Sequence, residues 1–380
     1  MVTINKAIKN ITPYKPGKPI EELRRQLGLK SIIKLASNEN PLGPSPKAVS
    51  AIRQAACGIS RYPEGYCFEL RRRLSEKLGL SADNLCFGNG SDEIIDIIIK
   101  AFCGLNEEII TADATFLEYK IIAQQNGRRV KIVPLKNFGF DLTAIKKNIT
   151  PKTKLIFIAN PNNPTGTYLN QRKVIDFLRG LPEKVIVVFD EAYFEFVEEE
   201  DFALGLKLFK EYPNIIILRT FSKAYGLAGL RIGYAIAGEE LIQGMELTRQ
   251  PFNVNFLAQV AAEAALDDGS FLKKTRTTIK EGKRYLYREL DKLKVDYVLS
   301  AANFILIDVK QDGEVLFRKL LKKGVIVREL KQYGLDNFIR VTIGTQQENK
   351  RFIQALKEIR KSRKRLGKGI RVPEQPWEEY

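Results

Sequence analysis

Through the middle of the chain, apolar residues come in unbroken runs of strand length rather than in alternation. Lys154-Leu-Ile-Phe-Ile-Ala159, Val185-Ile-Val-Val-Phe189, Ile215-Ile-Ile-Leu218 and Ile232-Gly-Tyr-Ala-Ile-Ala237 all read this way. Strands covered on both faces have this pattern, as in a mostly parallel sheet flanked by helices. The stretches between them are amphipathic: over residues 170–179, Val174, Phe177 and Leu178 share one helical face. The pattern predicts an α/β fold, with residues 46–275 forming a large domain on a mostly parallel central sheet.

The flanks read differently. Residues 1–45 carry Pro13, Pro16, Pro19, Pro41 and Pro44, which predicts an extended arm with one helix near residues 19–27. From about residue 275 a long charged helix leads into strands at 304–307, 325–327 and 338–342, alternating with helices over 314–323 and 347–360. This predicts a smaller α+β domain over 276–358, against which the arm packs, followed by a basic tail at 359–380.

Length and composition narrow the function. At 380 residues the chain exceeds the usual single-domain size, in keeping with one large and one smaller domain. It contains no histidine, so no Ser-His-Asp triad, Cys-His pair or imidazole base is available. Its four cysteines have no CxxC spacing, so no metal site is expected and the thiols read as reduced packing residues. No apolar run approaches the ~20 residues that span a bilayer, and the first residues lack a secretory layout, so a cytoplasmic location is expected. Of the net charge of +17, residues 357–371 contribute +7. A basic run of this kind is ordinarily a solvated helix end, and nucleic acid is not expected as a partner.

Candidate chemistry lies in four segments. Phe87-Gly-Asn-Gly-Ser-Asp-Glu93 is a Gly-rich turn ahead of an apolar helix, and free N–H groups at such a helix start suit a phosphate near Gly90, Ser91 and Asp92. Asn160-Pro-Asn-Asn-Pro-Thr-Gly166 follows a strand and would alone be only a turn. Asp190 ends a buried-type strand, where a carboxylate needs a partner, while Glu191 reads as a strand-end surface group. In Arg219-Thr-Phe-Ser-Lys-Ala-Tyr-Gly-Leu-Ala-Gly-Leu-Arg231, Lys223 stands among small residues just past a strand. Desolvation and a nearby Arg231 would lower its pKa toward that of a usable nucleophile.

In this order the segments resemble the signature of fold type I aminotransferases that use pyridoxal 5′-phosphate (PLP). The resemblance narrows with Asn38-Glu-Asn-Pro-Leu-Gly43, Arg61-Tyr-Pro63, Arg249-Gln-Pro-Phe-Asn-Val-Asn255, Gly324-Val-Ile-Val-Arg328 and Ile339-Arg-Val-Thr-Ile-Gly344, which look like histidinol-phosphate aminotransferases from about residue 10 to 358. It implies that Lys223 holds PLP as an internal aldimine and that Asp190 pairs with the pyridine nitrogen. Tyr193 and Asn163 would reach the ring's phenolic oxygen, and Phe116 would cover the ring where many relatives have tyrosine. Thr220, Ser222 and Arg231 would join Gly90, Ser91 and Asp92 around the phosphate. Tyr62 would reach the phosphate from a neighbouring subunit, which implies a homodimer with a shared site. Arg340 and Arg328 would grip the substrate's anionic end, with Asn38 beside it and Tyr14 closing over it.

The implied reaction interconverts L-histidinol phosphate plus 2-oxoglutarate with imidazole-acetol phosphate plus L-glutamate, a step of histidine biosynthesis. A broader aromatic aminotransferase is the near alternative. Threonine-phosphate decarboxylases commonly carry a His-Gly-Gly motif that this chain cannot have.

Overall fold

A computed structural model describes residues 3–5, 8–9, 11–29 and 31–366. Its centre is a seven-stranded sheet. Across the sheet the strands run Leu85–Gly88, Gly233–Ala237, Ile215–Thr220, Ile186–Asp190, Thr153–Ala159, Glu108–Ala112 and Arg129–Val133. Every pairing is parallel except those of Gly233–Ala237, which runs antiparallel to both neighbours. The four continuous runs read from the sequence are all here, buried along their length save Lys154. Strand direction is absent from an apolar run, because burial on both faces looks the same whichever way the chain points.

The parallel strands place their C-terminal ends on one edge. Asp190 ends one strand, and Thr220 ends the next and leads directly into the turn with Lys223. Helices cover the sheet. Ser91–Phe102 buries Ile94, Ile95, Ile97, Ile98 and Ile99 against it, while Phe256–Leu266 packs its buried alanines with the helices Pro46–Ala55 and Phe68–Leu78.

A second hydrophobic cluster gathers around a four-stranded antiparallel sheet, in the order Arg328–Glu329, Phe338–Thr342, Phe304–Asp308 and Tyr297–Val298. The helix Gly269–Lys292 leads into it, started by the Asp268 side chain, which accepts from the Phe271 N–H. The run at 325–327 does not join this sheet. Val325–Ile326 pairs in parallel with Ile33–Lys34 of the N-terminal arm, and the arm helix Ile20–Leu27 buries Leu23 beside Leu321 and Ile326. The last helix runs from Gln346 to Leu366, past the expected start of a loose tail at 359, and residues 367–380 of the basic segment lie outside the described residues. Cys67, Cys86 and Cys103 are buried, whereas Cys57 is exposed and therefore not the packing residue expected of it.

Glu191 corrects the reading of a surface group. It is 0% exposed and receives two bonds from Arg219, Nε–H at 3.0 Å and Nη2–H at 2.9 Å, while its Oε1 accepts the Gly205 N–H. Arg219 in turn lies 3.8 Å from the centre of the Phe194 ring. The pair joins the ends of two strands directly beneath Asp190 and the Lys223 turn. A charge at a strand end reads as solvated when its partner lies 28 residues away in sequence.

Removing one member of such a pair leaves the other charge buried alone, which typically costs 3–5 kcal/mol. Glu191→Ala is therefore expected to lose about that much stability in urea unfolding. A loss under ~1 kcal/mol would show that Arg219 finds water instead.

Candidate functional site

At the strand ends, between the two hydrophobic clusters, lies a cavity of roughly 170 Å³. Lys223, Asp190, Tyr193 and Asn163 line it together with Ser91, Asp92, Thr220, Ser222 and Arg231. Phe116, Asn38, Tyr14 and Arg340 complete the predicted residues at its wall. Gly90 stands just outside, and Tyr62 and Arg328 do not line it.

Lys223 is half-buried and, among the described residues, its amine donates to the Ser37 carbonyl at 3.3 Å. Burial first, and then the Arg340 guanidinium, bring its pKa down to about 8. The expected influence of Arg231 is not among the causes. Arg231 is instead paired with Asp92 at 2.9 Å, at the start of the Ser91 helix. Like charge from the other sheet thus does what a neighbour in the same loop was expected to do, and only the three-dimensional arrangement reveals which arginine is near.

Among the described residues Asp190 forms no ion pair. One carboxylate oxygen accepts the Tyr119 hydroxyl at 2.6 Å and the other accepts the Ala192 N–H at 3.1 Å. Burial pushes its pKa up to about 6, against the pull of those two donors. Tyr193 accepts from the Asn38 amide at 3.0 Å, and burial holds its phenol up at about 12. With an acceptor role already filled, its own proton is free to donate. Asn163 accepts from Arg340 through its amide oxygen, which leaves its amide nitrogen as a donor.

The phosphate end is built from small groups. Gly90 has φ +83°, and an added Cβ would fall 2.4 Å from Arg231 Nη2, so the position requires glycine for conformation and for space. Thr220 Oγ1 accepts the Ser222 N–H at 3.1 Å, fixing the turn that carries Lys223.

Arg340 and Arg328 are direct partners across two antiparallel strands, and both are buried. Arg340 donates to the Ala36 carbonyl at 2.6 Å, while the Nε of each arginine has no partner among the described residues. Like charges facing each other across strands are destabilising without an anion between or above them. Arg328 stands behind the cavity wall, with Tyr14 over it at 5.1 Å and Gln332 accepting from its Nη2 at 3.4 Å. Tyr62 is 83% exposed and stacks on Phe252 at 4.9 Å.

The motifs missed Tyr119 and Gln332. Tyr119 lies three residues past Phe116, where a helix periodicity alone reads it as core. Gln332 sits in a short 3-10 turn with no pattern to mark it.

The donor set fits PLP. Asp190 is a buried carboxylate lacking a cation, as a ring nitrogen requires. Asn163 and Tyr193 present donors, and Arg231 with the Ser91 helix start presents an anion cradle that excludes a side chain at Gly90. Among the described residues no cluster of three or more cysteine and acidic side chains is placed to hold a metal ion, and no helix is long and apolar enough to cross a membrane.

Comparison with known proteins gives the same direction. The profile of "Aminotransferase class I and II" matches residues 30–356. A histidinol-phosphate aminotransferase of Moorella thermoacetica is 51% identical over 354 residues, covering 93% of this chain and 92% of its own length. Histidinol-phosphate aminotransferase 2 of Carboxydothermus hydrogenoformans is 45% identical over 94% of this chain and 99% of its own. The crystal structure of histidinol-phosphate aminotransferase from Sinorhizobium meliloti in complex with pyridoxal 5′-phosphate superposes with a TM-score of 0.87 at 28% identity, over 95% of this chain and 98% of that one.

The raised pKa of Asp190 carries a stability consequence. Below pH ~4 the carboxyl is protonated folded and unfolded, and it costs nothing. Between there and about 6 the unfolded chain ionises while the folded one does not, so stability falls as pH rises. Asp190→Asn should therefore leave the cofactor-free protein about as stable as wild type at pH 4. At pH 8 it should be more stable by on the order of 1–3 kcal/mol, read from urea unfolding. A variant less stable than wild type at pH 8 would contradict this.

Proposed function

Because the chain belongs to the class I and II aminotransferases and, among them, to the family of the histidinol-phosphate aminotransferases, we propose that it interconverts L-histidinol phosphate plus 2-oxoglutarate with imidazole-acetol phosphate plus L-glutamate, in histidine biosynthesis. The observation that supports the reading is that half-buried Lys223 and buried Asp190 line one cavity and, among the described residues, form no ion pair with each other.

When bound, PLP supplies an aldehyde that condenses with amines and a protonated ring that withdraws electrons from the bond to the α-carbon hydrogen. Lys223 would carry it through its amine. Its free amine would be the base that takes up and gives back the substrate's α-proton, and a pKa of about 8 suits both directions near neutral pH. Asp190 holds the proton at the ring nitrogen. Asn163 and Tyr193 donate to the phenolic oxygen, and Phe116 packs on the ring face. Ser91, Asp92, Thr220, Ser222 and Arg231, with the backbone at Gly90, hold the phosphate.

Arg340 and Arg328 account for the two substrates. Each keeps an unpartnered Nε–H among the described residues, and a guanidinium fork can donate to the carboxylate of glutamate or the phosphate of histidinol phosphate, Arg340 from the cavity wall and Arg328 from behind it. Tyr14 lines the cavity while lying over Arg328, and Asn38 fixes Tyr193 from below, so the arm and the small sheet meet on the substrate side.

The second copy enters through Tyr62. Ile59, Tyr62, Tyr66 and Phe68 are exposed beside Leu247 and Phe252, an apolar surface that water solvates poorly. We propose a homodimer in which this surface is covered and Tyr62 reaches the partner's phosphate site. The location is proposed to be the cytoplasm.

Half-reactions on the purified protein test the assignment. Glutamate alone and histidinol phosphate alone should each shift the bound cofactor's absorbance, and Lys223→Ala should lower the rate by ~10⁴ or more. A response to glutamate and aromatic amino acids but not to histidinol phosphate would retain an aminotransferase and overturn the substrate. Sedimentation should give a dimer, and Tyr62→Ala should weaken cofactor retention about tenfold or more, the loss of one hydrogen bond to a charged group. A monomer that holds PLP tightly would refute the shared site.

A further inference from the structure

Asp190 is positioned by a side chain that no motif of the chain marks. Tyr119, on the helix Glu118–Gln125, is fully buried, and its ring stacks on Phe157 at 5.0 Å with planes 18° apart. Phe116 meets it edge-on at 5.5 Å and 81°. Held on two sides by aromatic rings, the phenol has one direction left for its hydroxyl, and that direction ends on Asp190 Oδ2 at 2.6 Å.

The sense of this bond is fixed. Tyr119 is held well above the ordinary phenol range, by burial first and then by the Asp190 charge, so it keeps its proton and donates it to the carboxylate. The carboxylate accepts a second bond from the Ala192 N–H, which fixes its plane. The charged and titratable groups around Asp190 are Lys223, which favours its ionisation, Asp92, which opposes it, and the phenols of Tyr119 and Tyr193. None of the ionic groups is salt-bridged to it within the described residues, so the Tyr119 hydroxyl is the nearest side-chain donor that favours the charged form.

We propose that Tyr119 is a positioning residue for amino transfer: its hydroxyl pins the Asp190 carboxylate in one orientation and keeps it an acceptor, so that the proton shared with the cofactor's ring nitrogen stays on nitrogen. This rests on the reading of the cavity as a PLP site. Without the hydroxyl, burial acts on the carboxylate unopposed on that side, and the proton shifts toward the carboxyl oxygen. A neutral ring withdraws electrons less strongly, and removal of the α-proton slows. No atom is gained or lost in that shift; one proton changes position within a single hydrogen bond. The same short segment also places Phe116 on the cavity wall, so one stretch of chain would set both the face and the edge of the ring.

The test uses the full chain loaded with PLP labelled with nitrogen-15 at the ring position. Wild type should give a pyridinium resonance that persists from pH 6 to 9. In Tyr119→Phe, which keeps the ring stack, the resonance should move toward the unprotonated position. The single-turnover rate with glutamate should fall roughly 10- to 100-fold, the scale of one hydrogen bond to a charge, with less than about a twofold change in glutamate affinity. A Tyr119→Phe resonance matching wild type at every pH overturns the proposal, even if the rate falls. As a second probe, 3-fluorotyrosine at position 119, a stronger donor of nearly the same size, should leave the resonance at least as protonated as in wild type; movement toward neutral would overturn it equally. Wild type that takes up no PLP would instead overturn the reading of the cavity itself, and the two failures are told apart by the wild-type spectrum alone.

Discussion

The rest of the site depends on keeping a half-buried amine and a buried carboxylate in one cavity without letting them pair. Lys223 and Asp190 line the same space, yet they form no ion pair. Each is restrained by neutral groups, Lys223 by the Ser37 carbonyl and Asp190 by Tyr119 and the Ala192 N–H. Ion pairing would relieve the desolvation of both. It would also consume the two groups the proposed chemistry calls on, an amine able to lose its proton and a carboxylate open to a ring nitrogen. The folded chain without cofactor therefore carries unrelieved charge, as active sites commonly do.

That cost is borne by the surrounding frame. Directly under the site, Glu191 and Arg219 form a buried pair with several bonds each, closing the ends of two neighbouring strands. The adjacent residues 190 and 191 thus have opposite duties: one acid is fully satisfied and holds the strands, while the next is left without a cation. The small antiparallel sheet adds a second unrelieved feature, two arginines facing each other across strands with unpartnered nitrogens. Both features lie on the walls between the two hydrophobic clusters, where a ligand can satisfy groups from either side.

Much of this was legible beforehand. The continuous apolar runs marked four sheet strands, since burial on both faces leaves no polar alternation, and most of the motif residues line one cavity, Gly90, Tyr62 and Arg328 excepted. Legibility failed where the decisive partner is distant in sequence. Glu191 read as exposed because nothing local announces Arg219. Arg231, eight residues on, reads from the sequence as the charge that depresses Lys223, whereas the arginine that does so is Arg340, 117 residues away along the chain. Val325–Ile326 looked like one more strand of the small sheet but pairs with the N-terminal arm.

The sequence by itself determined the fold class, through periodicity and turn residues, and its motifs, by their resemblance to the aminotransferases, pointed to the cofactor and to Lys223 as the candidate that holds it. Tertiary structure alone decided which charges are paired, which are left alone and what holds them. Tyr119 shows the difference most plainly. In the sequence it is an aromatic residue on the apolar side of a helix, and only the packing of Phe157 and Phe116 aims its hydroxyl at Asp190. Pairing energies depend on distance and burial in space, and neither quantity is a function of separation along the chain.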